Sequence, residues 1–226
     1  MCYANRTMKN YQCILFDLDG TLTYSHEGIF ACIRYALQKM GKDEPTMDAL
    51  RLCVGPTLLY SFETYFHLTK EEAVEATRLY RERYATTGIW ENSPIPYAKT
   101  CLQRLKSHGY RLAMATSKPI YFASQISQKF GFAPYFETEV GSGMDDGTLP
   151  TKGAVIAEAI RRLGVGRDAC LMVGDRKHDV DGARENDVDC ALLRIGYAEN
   201  EEEFVLAKPK YVLDDLKELT DLLTNT

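Results

Sequence analysis

The chain has 226 residues, of which 45% are hydrophobic and 26% are charged, the balance of a globular protein that can bury a core. This composition excludes a disordered, collagen-like or low-complexity chain. The length predicts one large domain, or one domain that carries an insertion. The net charge of −5 argues against nucleic acid or an anionic membrane surface as the main partner.

Cysteine usage and hydropathy predict where the protein resides. The seven cysteines are scattered and form no C-x-x-C pair, which argues against a disulfide framework or a zinc site. We therefore expect a cytoplasmic protein. No apolar stretch approaches the roughly 18 residues of a membrane-spanning helix, and the N-terminus lacks the apolar segment of a signal peptide. We expect the first ten residues to form a loose tail.

In chain order, the strongest elements are short apolar segments bounded by turn residues, as expected for strands buried on both faces of a sheet. They lie at 11–16, 112–115, 136–140, 170–173, 191–193 and 211–213. Helical patterns lie between and after them, at 98–107, 121–130, 152–163, 179–185 and 215–223. This alternation predicts an α/β fold whose core is a doubly wound, Rossmann-like parallel sheet with helices on both faces.

The block at residues 24–96 contains helical patterns and no convincing strand. Ser25 and Thr46 are candidate N-caps for two of its helices, and residues 69–72 form a capping box for a third that runs to about residue 87. Because this block interrupts the alternation after the first strand, we predict an inserted all-helical cap domain at 24–96. The core domain is then formed by residues 8–23 and 97–226.

Polar side chains that can carry chemistry follow several of the predicted strands. In a doubly wound sheet, ligands bind beyond the carboxyl ends of the strands, where these side chains would meet. The candidates are Asp17 and Asp19 after the first strand, Thr116 and Ser117 after the second, Asp175 and Asp179 after the fourth, and Lys152 at a helix start. The sequence therefore predicts one site at this edge of the sheet.

The number of acids at this edge points to a metal. Four carboxylates at one site would repel one another and raise their pKa values unless a cation were present. We expect Mg²⁺, a hard ion that takes oxygen ligands and leaves positions for a substrate phosphate. The candidate metal ligands are Asp17, Asp19, Asp175 and Asp179.

The same residues suit phosphate chemistry. An ionised aspartate beside the metal can attack phosphorus and form an aspartyl-phosphate, which divides hydrolysis into two easier steps. A second carboxyl two residues later can protonate the leaving oxygen and then activate water. Thr116 and Lys152 can bind phosphate oxygens, and Ser117 is a further candidate for that role.

Several of these residues also have a purely structural interpretation. The D-x-D-G segment could be a turn or part of a calcium loop, but Leu22 occupies the position of that loop's glycine, and no glutamate follows at the twelfth position. Asp179 could cap the next helix, Lys152 could be an exposed lysine, and Thr116 could satisfy backbone groups at a strand end.

Four segments in this order resemble the motifs of the haloacid dehalogenase superfamily. They are DLDGT at 17–21, ATSKP at 115–119, Lys152, and GDRKHD at 174–179. The chain is similar in particular to the small phosphatases of that superfamily that carry a helical cap after the first motif, such as phosphoglycolate phosphatases.

The resemblance implies a role for each candidate. Asp17 would be the nucleophile and Asp19 the acid/base. The carboxylates of Asp17 and Asp175 and the backbone carbonyl of Asp19 would hold Mg²⁺, and Asp179 would act through water or by orienting its neighbours. The resemblance further implies that the hydroxyl motif and the lysine bind phosphate. An acid two positions after the nucleophile is absent from the superfamily's dehalogenases and indicates phosphate chemistry.

Two positions depart from the pattern of this group. Tyr24 stands where its members commonly carry an aspartate, so the cap hinge or a substrate contact there can differ. Ile29 stands where the superfamily's mutases carry a cap histidine, which argues against a mutase.

We therefore expect a Mg²⁺-dependent phosphomonoesterase that acts on a small phosphorylated metabolite, namely phosphoglycolate, a nucleoside monophosphate or a sugar phosphate. We expect no nucleic-acid or membrane partner, and a monomer or weak homodimer. Two alternatives are a sugar phosphate mutase and a catalytically idle binding or regulatory protein.

Overall fold

The structure is a computed structural model that describes residues 10–144, 147–198 and 200–225. Most of the expected N-terminal tail, and both outer ends of the predicted core (residues 8 and 226), lie outside these ranges. None of the helices in the described part of the chain has the length and apolar character needed to span a bilayer.

Six parallel strands form the main sheet, and two further strands form a short ladder. In chain order the strands are β1 (Cys13–Phe16), β2 (Thr23–Tyr24), β3 (Ser93–Pro94), β4 (Arg111–Pro119), β5 (Thr138–Ser142), β6 (Cys170–Gly174), β7 (Asp189–Leu193) and β8 (Tyr211–Leu213). The spatial order of the main sheet is β5-β4-β1-β6-β7-β8. The predicted doubly wound parallel sheet is confirmed.

Helices flank this sheet and fill the segment between β2 and β3. They are α1 (His26–Lys39), α2 (Met47–Leu52), α3 (Leu58–Tyr65), α4 (Lys70–Tyr84), α5 (Ala98–Ser107), α6 (Ile120–Phe130), α7 (Lys152–Leu163), α8 (Lys177–Arg184), α9 (Glu201–Ala207) and α10 (Leu216–Thr224). The sequence patterns did not predict α3 and α9. Both are short, and their N-caps, Thr57 and Asn200, are visible in the sequence only as ordinary loop residues.

The central strand shows how the sheet is buried on both sides. All four residues of β1 are fully buried. Successive side chains of a strand point to opposite faces, so Ile14 and Phe16 pack into one apolar cluster while Cys13 and Leu15 pack into another. The first cluster continues into the helices between β2 and β3, whose apolar residues share it.

Residues 24–96 are called the cap segment below, and their separation as a domain stays a prediction. The segment leaves and rejoins the core through the antiparallel pair β2–β3, which the sequence analysis missed because two-residue strands show no periodicity. The predicted capping box of α4 is present, with Thr69 Oγ1 accepting from the Glu72 N–H at 3.2 Å and the Glu72 carboxylate accepting from the Thr69 N–H at 2.9 Å.

Ser25 was predicted to cap α1 through its side chain; its position is correct, but the hydrogen bond is absent. Ser25 occupies the N-cap position of α1, but its side chain makes no capping hydrogen bond. The Tyr197 hydroxyl, from the loop after β7, instead accepts the backbone N–H of Ser25 at 2.8 Å and of His26 at 3.2 Å. The start of α1 is therefore held by a side chain of the core that lies 172 positions away.

Candidate active site

The carboxyl ends of the neighbouring strands β4, β1 and β6 bring the predicted residues together. β1 pairs with both other strands, and its last residue, Phe16, lies opposite Met114 of β4 and Val173 of β6. The next residue, Asp17, donates its N–H to the Val173 carbonyl at 2.9 Å, so the β1 ladder continues into the acidic loop. Asp175 follows β6 directly and reaches the same edge.

Three buried acids form a compact cluster at this edge. Asp17, Asp175 and Asp179 each present a carboxylate oxygen, and these oxygens lie within 4.8 Å of one another. Asp179 has two roles, because its Oδ2 accepts the N–H groups of Asp175 and Arg176 at 3.1 Å while its Oδ1 faces Lys152 at 2.9 Å. The helix-capping interpretation of Asp179 and its membership of the acidic site are thus compatible.

Two glycines make room for Asp175. A Cβ at Gly20, whose φ of +82° also favours glycine, or at Gly196 would collide with the Asp175 side chain. In this narrow place the Asp175 carboxylate accepts the Tyr197 N–H at 2.6 Å and the Thr21 hydroxyl at 3.4 Å. Loops after two different strands therefore hold the Asp175 carboxylate in one orientation.

Lys152 is the cation of the acid cluster, and it is not an exposed lysine. Its ammonium lies 2.8 Å from Asp17 Oδ1 and 2.9 Å from Asp179 Oδ1, and it donates to the Ala115 carbonyl at 3.2 Å. Burial alone would lower the pKa of Lys152, but the two carboxylates hold it above its ordinary value. The lysine therefore stays charged beside the acids.

The electrostatics of the cluster favour a bound cation. Burial raises the pKa of Asp17 to about 6, with Lys152 opposing and Asp179 adding to the rise. Burial, followed by the charges of Asp179 and Asp17, also raises the pKa of Asp175 well above its usual range. One ammonium does not neutralise three buried carboxylates, so the donor set fits a divalent ion with oxygen ligands.

Asp19 is not one of the three clustered acids. Its Oδ2 pairs with the Lys118 ammonium at 2.8 Å, and its Oδ1 is buried with no hydrogen-bond partner among the described residues.

The two candidate phosphate-binding residues of β4 lie at the same cavity. Thr116 is buried, and it lines this cavity together with Asp19 and Ser117. The Ser117 carbonyl accepts from the Ser142 hydroxyl at 2.8 Å.

The cavity above these residues has a volume of about 430 Å³, within the range of about 300–1,000 Å³ that is usual for small-molecule sites. An aromatic cluster forms part of its wall. Tyr80 and Tyr84 of the cap segment stack at 5.3 Å, and Tyr84 meets Phe122 of α6 edge-on at 5.1 Å. The cavity therefore combines an acidic floor from the core with an aromatic wall to which the cap segment contributes.

Sequence reasoning missed three residues that link the core to the cap segment. Lys118 and Arg176 lie inside the motifs quoted above, but no role was inferred for either. Arg176 is buried, pairs with Glu203 at 3.0 Å, and donates to the Val54 carbonyl of the cap segment at 2.9 Å. Tyr197 follows no motif, and no sequence signal indicated it.

The chain is similar to known proteins along most of its length. The family model described as haloacid dehalogenase-like hydrolase matches residues 14–193. A 5'-nucleotidase from Pseudomonas aeruginosa is 38% identical over 94% of this chain and 96% of its own length. A phosphoglycolate phosphatase from Vibrio parahaemolyticus is 27% identical over 96% of this chain and 98% of its own length.

Two further matches extend the comparison. The tyrosine-protein kinase PtkA from Mycobacterium tuberculosis is 37% identical over 82% of this chain, which spans 63% of that protein. Among solved structures, a predicted phosphatase from Clostridium acetobutylicum superposes with a TM-score of 0.90 at 36% identity, covering 96% of this chain and 99% of that one.

Proposed function

The chain belongs to the haloacid dehalogenase-like hydrolase family and is a phosphatase of that family, and from this premise we propose that it is a Mg²⁺-dependent phosphomonoesterase with an aspartyl-phosphate intermediate. The observation that carries the proposal is the placement of Asp17. Its carboxylate stands on the cavity floor, beside two further acids and 2.8 Å from the Lys152 ammonium.

The described residues fit a divalent metal ion. Asp17, Asp175 and Asp179 would hold it, because their carboxylate oxygens already converge and their negative charge is only partly balanced. When bound, Mg²⁺ would neutralise charge on the phosphoryl oxygens and so lower the barrier to attack.

Asp17 is the proposed nucleophile. Lys152 favours the ionised form of its carboxylate, which is the form that can attack phosphorus. The Lys152 ammonium and the Thr116 hydroxyl would bind phosphoryl oxygens, whose negative charge attracts both donors. Ser117 lines the same cavity and stays a candidate for this role.

Asp19 is the proposed acid/base. Its buried Oδ1 would give a proton to the leaving oxygen as the bond from phosphorus to that oxygen breaks. The leaving alcohol departs, and Asp19 then takes a proton from the water that attacks the phosphorus of the aspartyl-phosphate. Inorganic phosphate would be released, and the Asp17 carboxylate and protonated Asp19 would be regenerated.

A nucleoside monophosphate is the proposed substrate class. Its flat base can stack on the aromatic wall, and the cavity volume suits a ligand of that size. Among the described lining residues the cationic side chains are engaged, Lys118 with Asp19 and Arg81 with the Met144 carbonyl. The carboxylate of phosphoglycolate would have to compete for these cations. The nucleotidase relative supports the same choice.

The two alternatives have less support. A mutase needs a proton donor in the cap segment near the leaving group, and the cavity presents the side chain of Ile29 at the position expected for it. An idle binding protein would not require the buried arrangement of Asp17, Asp19 and Lys152.

We also propose a cytoplasmic monomer or weak homodimer. The described cysteines are buried free thiols, which supports the cytoplasmic location.

The test is phosphate release from AMP, phosphoglycolate, glucose 6-phosphate and 4-nitrophenyl phosphate, with Mg²⁺ or with EDTA. We expect turnover with Mg²⁺ only, and the highest kcat/KM on AMP. A phosphoenzyme trapped by acid quench should be cleaved by hydroxylamine, as acyl phosphates are, and should be absent from Asp17→Asn. Activity retained in Asp17→Asn would refute the mechanism, and phosphoglycolate preferred over AMP would refute the substrate class.

Two further readouts address the alternatives. Hexose phosphate isomerisation faster than phosphate release would favour the mutase. Incubation with ATP and a tyrosine-containing protein tests for a kinase, because one relative carries that name. Phosphotyrosine formed faster than phosphate would contradict a phosphomonoesterase.

A further inference from the structure

Lys118 is a buried cation to which the proposed reaction has so far assigned no role. Its Nζ lies 2.8 Å from Asp19 Oδ2, and the two side chains are only 6% and 13% exposed. Removing a lysine from water costs free energy that an isolated ammonium does not regain. Its partner is the proposed acid/base itself, so the contact bears on the reaction and not only on stability.

The local backbone aims Lys118 into the site. The pairing of β4 with β5 shifts register between Thr116 and Pro119, so the strand is irregular where the hydroxyl motif ends. In this turn the Lys118 N–H donates to Thr116 Oγ1 at 3.2 Å. The segment that supplies the phosphate-binding hydroxyl therefore also sets the direction of the lysine.

The cap segment supplies a further partner for the same ammonium. Lys118 Nζ lies 5.0 Å from the ring centroid of Tyr84, within the distance at which a cation is attracted to an aromatic face. Tyr84 is the last residue of α4, and its ring is buried. The ammonium is thus held between an aspartate of the core and an aromatic ring of the cap segment.

We propose that Lys118 is a positioning residue for Asp19. By binding Oδ2 it leaves the buried Oδ1 as the one oxygen that exchanges the proton with the leaving group. Tyr84 keeps the ammonium in place while the cap segment covers the cavity. This inference rests on the proposed function, in which Asp19 is the acid/base.

The proposal has a consequence that a purely structural role would not have. A ribose 5'-oxygen is a poor leaving group and needs the proton from Asp19 as its bond to phosphorus breaks. The 4-nitrophenolate anion is a good leaving group and needs little protonation. Misplacing Asp19 should therefore slow hydrolysis of AMP far more than hydrolysis of 4-nitrophenyl phosphate.

The experiment compares kcat/KM for these two substrates in the wild type, Lys118→Met and Lys118→Arg. For each substrate, kcat/KM reports the steps up to formation of the aspartyl-phosphate, and the leaving group departs in the last of these steps. We expect Lys118→Met to lose about 100-fold on AMP and less than about fivefold on 4-nitrophenyl phosphate. Lys118→Arg keeps a cation at the site and should recover most of the loss on AMP.

Two more variants sharpen the test. Asp19→Asn should show the same leaving-group dependence, and adding Lys118→Met to it should cost less than about threefold more, since both changes disable one function. Thermal melts of every variant report folding, and Lys118→Gln replaces Lys118→Met if the latter does not fold.

Equal losses of kcat/KM on both substrates in a folded Lys118 variant would overturn the proposal. It would also be overturned if the loss in the double variant equalled the product of the losses in Asp19→Asn and Lys118→Met. A wild-type protein that hydrolyses neither substrate would instead refute the proposed function. The two failures are therefore distinguishable.

Discussion

The acid cluster of the core and the cap segment use charge in different ways. In the core, Lys152 pairs with Asp17 through side chains that are 7% and 10% exposed. In the cap segment, the Arg78–Glu75 pair has a similar length of 2.7 Å, but its side chains are 59% and 47% exposed. Water screens the exposed pair, whereas breaking the buried pair leaves a charge without solvation.

The cap segment contributes mainly shape to the cavity. Its aromatic rings form part of the wall, and contacts from the core hold its ends and loops. Arg176 binds the Val54 carbonyl, and Tyr197 binds the start of α1. Both residues are also close to the acid cluster, because Arg176 follows Asp175 in the chain and the Tyr197 N–H donates to the Asp175 carboxylate. Under the proposed function, this difference assigns the chemistry to the core edge and the shape of the substrate cavity in part to the cap segment.

The largest expected effect comes from removing the cation of the core cluster. Lys152→Met leaves Asp17 and Asp179 without their ammonium and removes a proposed phosphate donor, so kcat/KM on AMP should fall about a thousandfold. Lys217→Met, at an exposed position of α10, is the matched control and should keep full activity. Steady-state kinetics measure this loss. Near-normal turnover in Lys152→Met would show that the buried cation of the core is not needed for the reaction.

A second prediction concerns the pH dependence of stability in metal-free protein. The pKa of Asp17 rises from 3.8 to about 6 on folding, so its ionisation disfavours the folded state. The folded protein then loses about 3 kcal/mol as pH increases from about 4 to about 6. In EDTA, Asp17→Asn should exceed the wild type in stability by about that amount at pH 7 and by little at pH 4.

Denaturant unfolding of the wild type and Asp17→Asn at both pH values measures this difference. Addition of Mg²⁺ should stabilise the wild type more at pH 7 than at pH 5, because it binds the ionised carboxylates. If the gap between the two proteins were the same at pH 4 and pH 7, burial of Asp17 would not be the cause.

A smaller effect is expected at the contact that holds the cap segment. Tyr197→Phe removes the hydroxyl that accepts the Ser25 and His26 N–H groups, and should lower the free energy of unfolding by about 1 kcal/mol. Its backbone contact with Asp175 remains, so kcat should change less than about threefold.

Tyr35→Phe is the matched control, because Tyr35 also belongs to α1 but its hydroxyl donates to Glu82 of α4 in an exposed contact. Thermal melts should show a lower midpoint for Tyr197→Phe alone. Equal midpoints in the two variants would show that the Tyr197 hydroxyl does not hold α1.

The smallest effect is expected on the surface of the cap segment. Glu75→Gln breaks an exposed ion pair with Arg78, and should leave the thermal midpoint within about 2 °C of the wild type and kcat/KM unchanged. A large loss in either measurement would contradict the contrast between the two regions.

Much of the core was predictable from local pattern. The strands at 170–173 and 211–213 and the helices at 98–107 and 152–163 lie where the sequence predicted them, because apolar runs and helix stops depend on neighbouring residues. The short elements β2, β3, α3 and α9 were missed, since a few residues carry too little periodicity to be recognised.

The sequence alone determined the fold class and the family resemblance, through the order of its strands and four motifs. Only the tertiary structure decided which charges meet: that Lys152 joins Asp17 and Asp179, that Asp19 turns to Lys118, and that Tyr197 reaches the start of α1. Separation along the chain does not encode the distance between side chains on different elements. Packing sets that distance, and with it the burial that governs how strongly these charges interact.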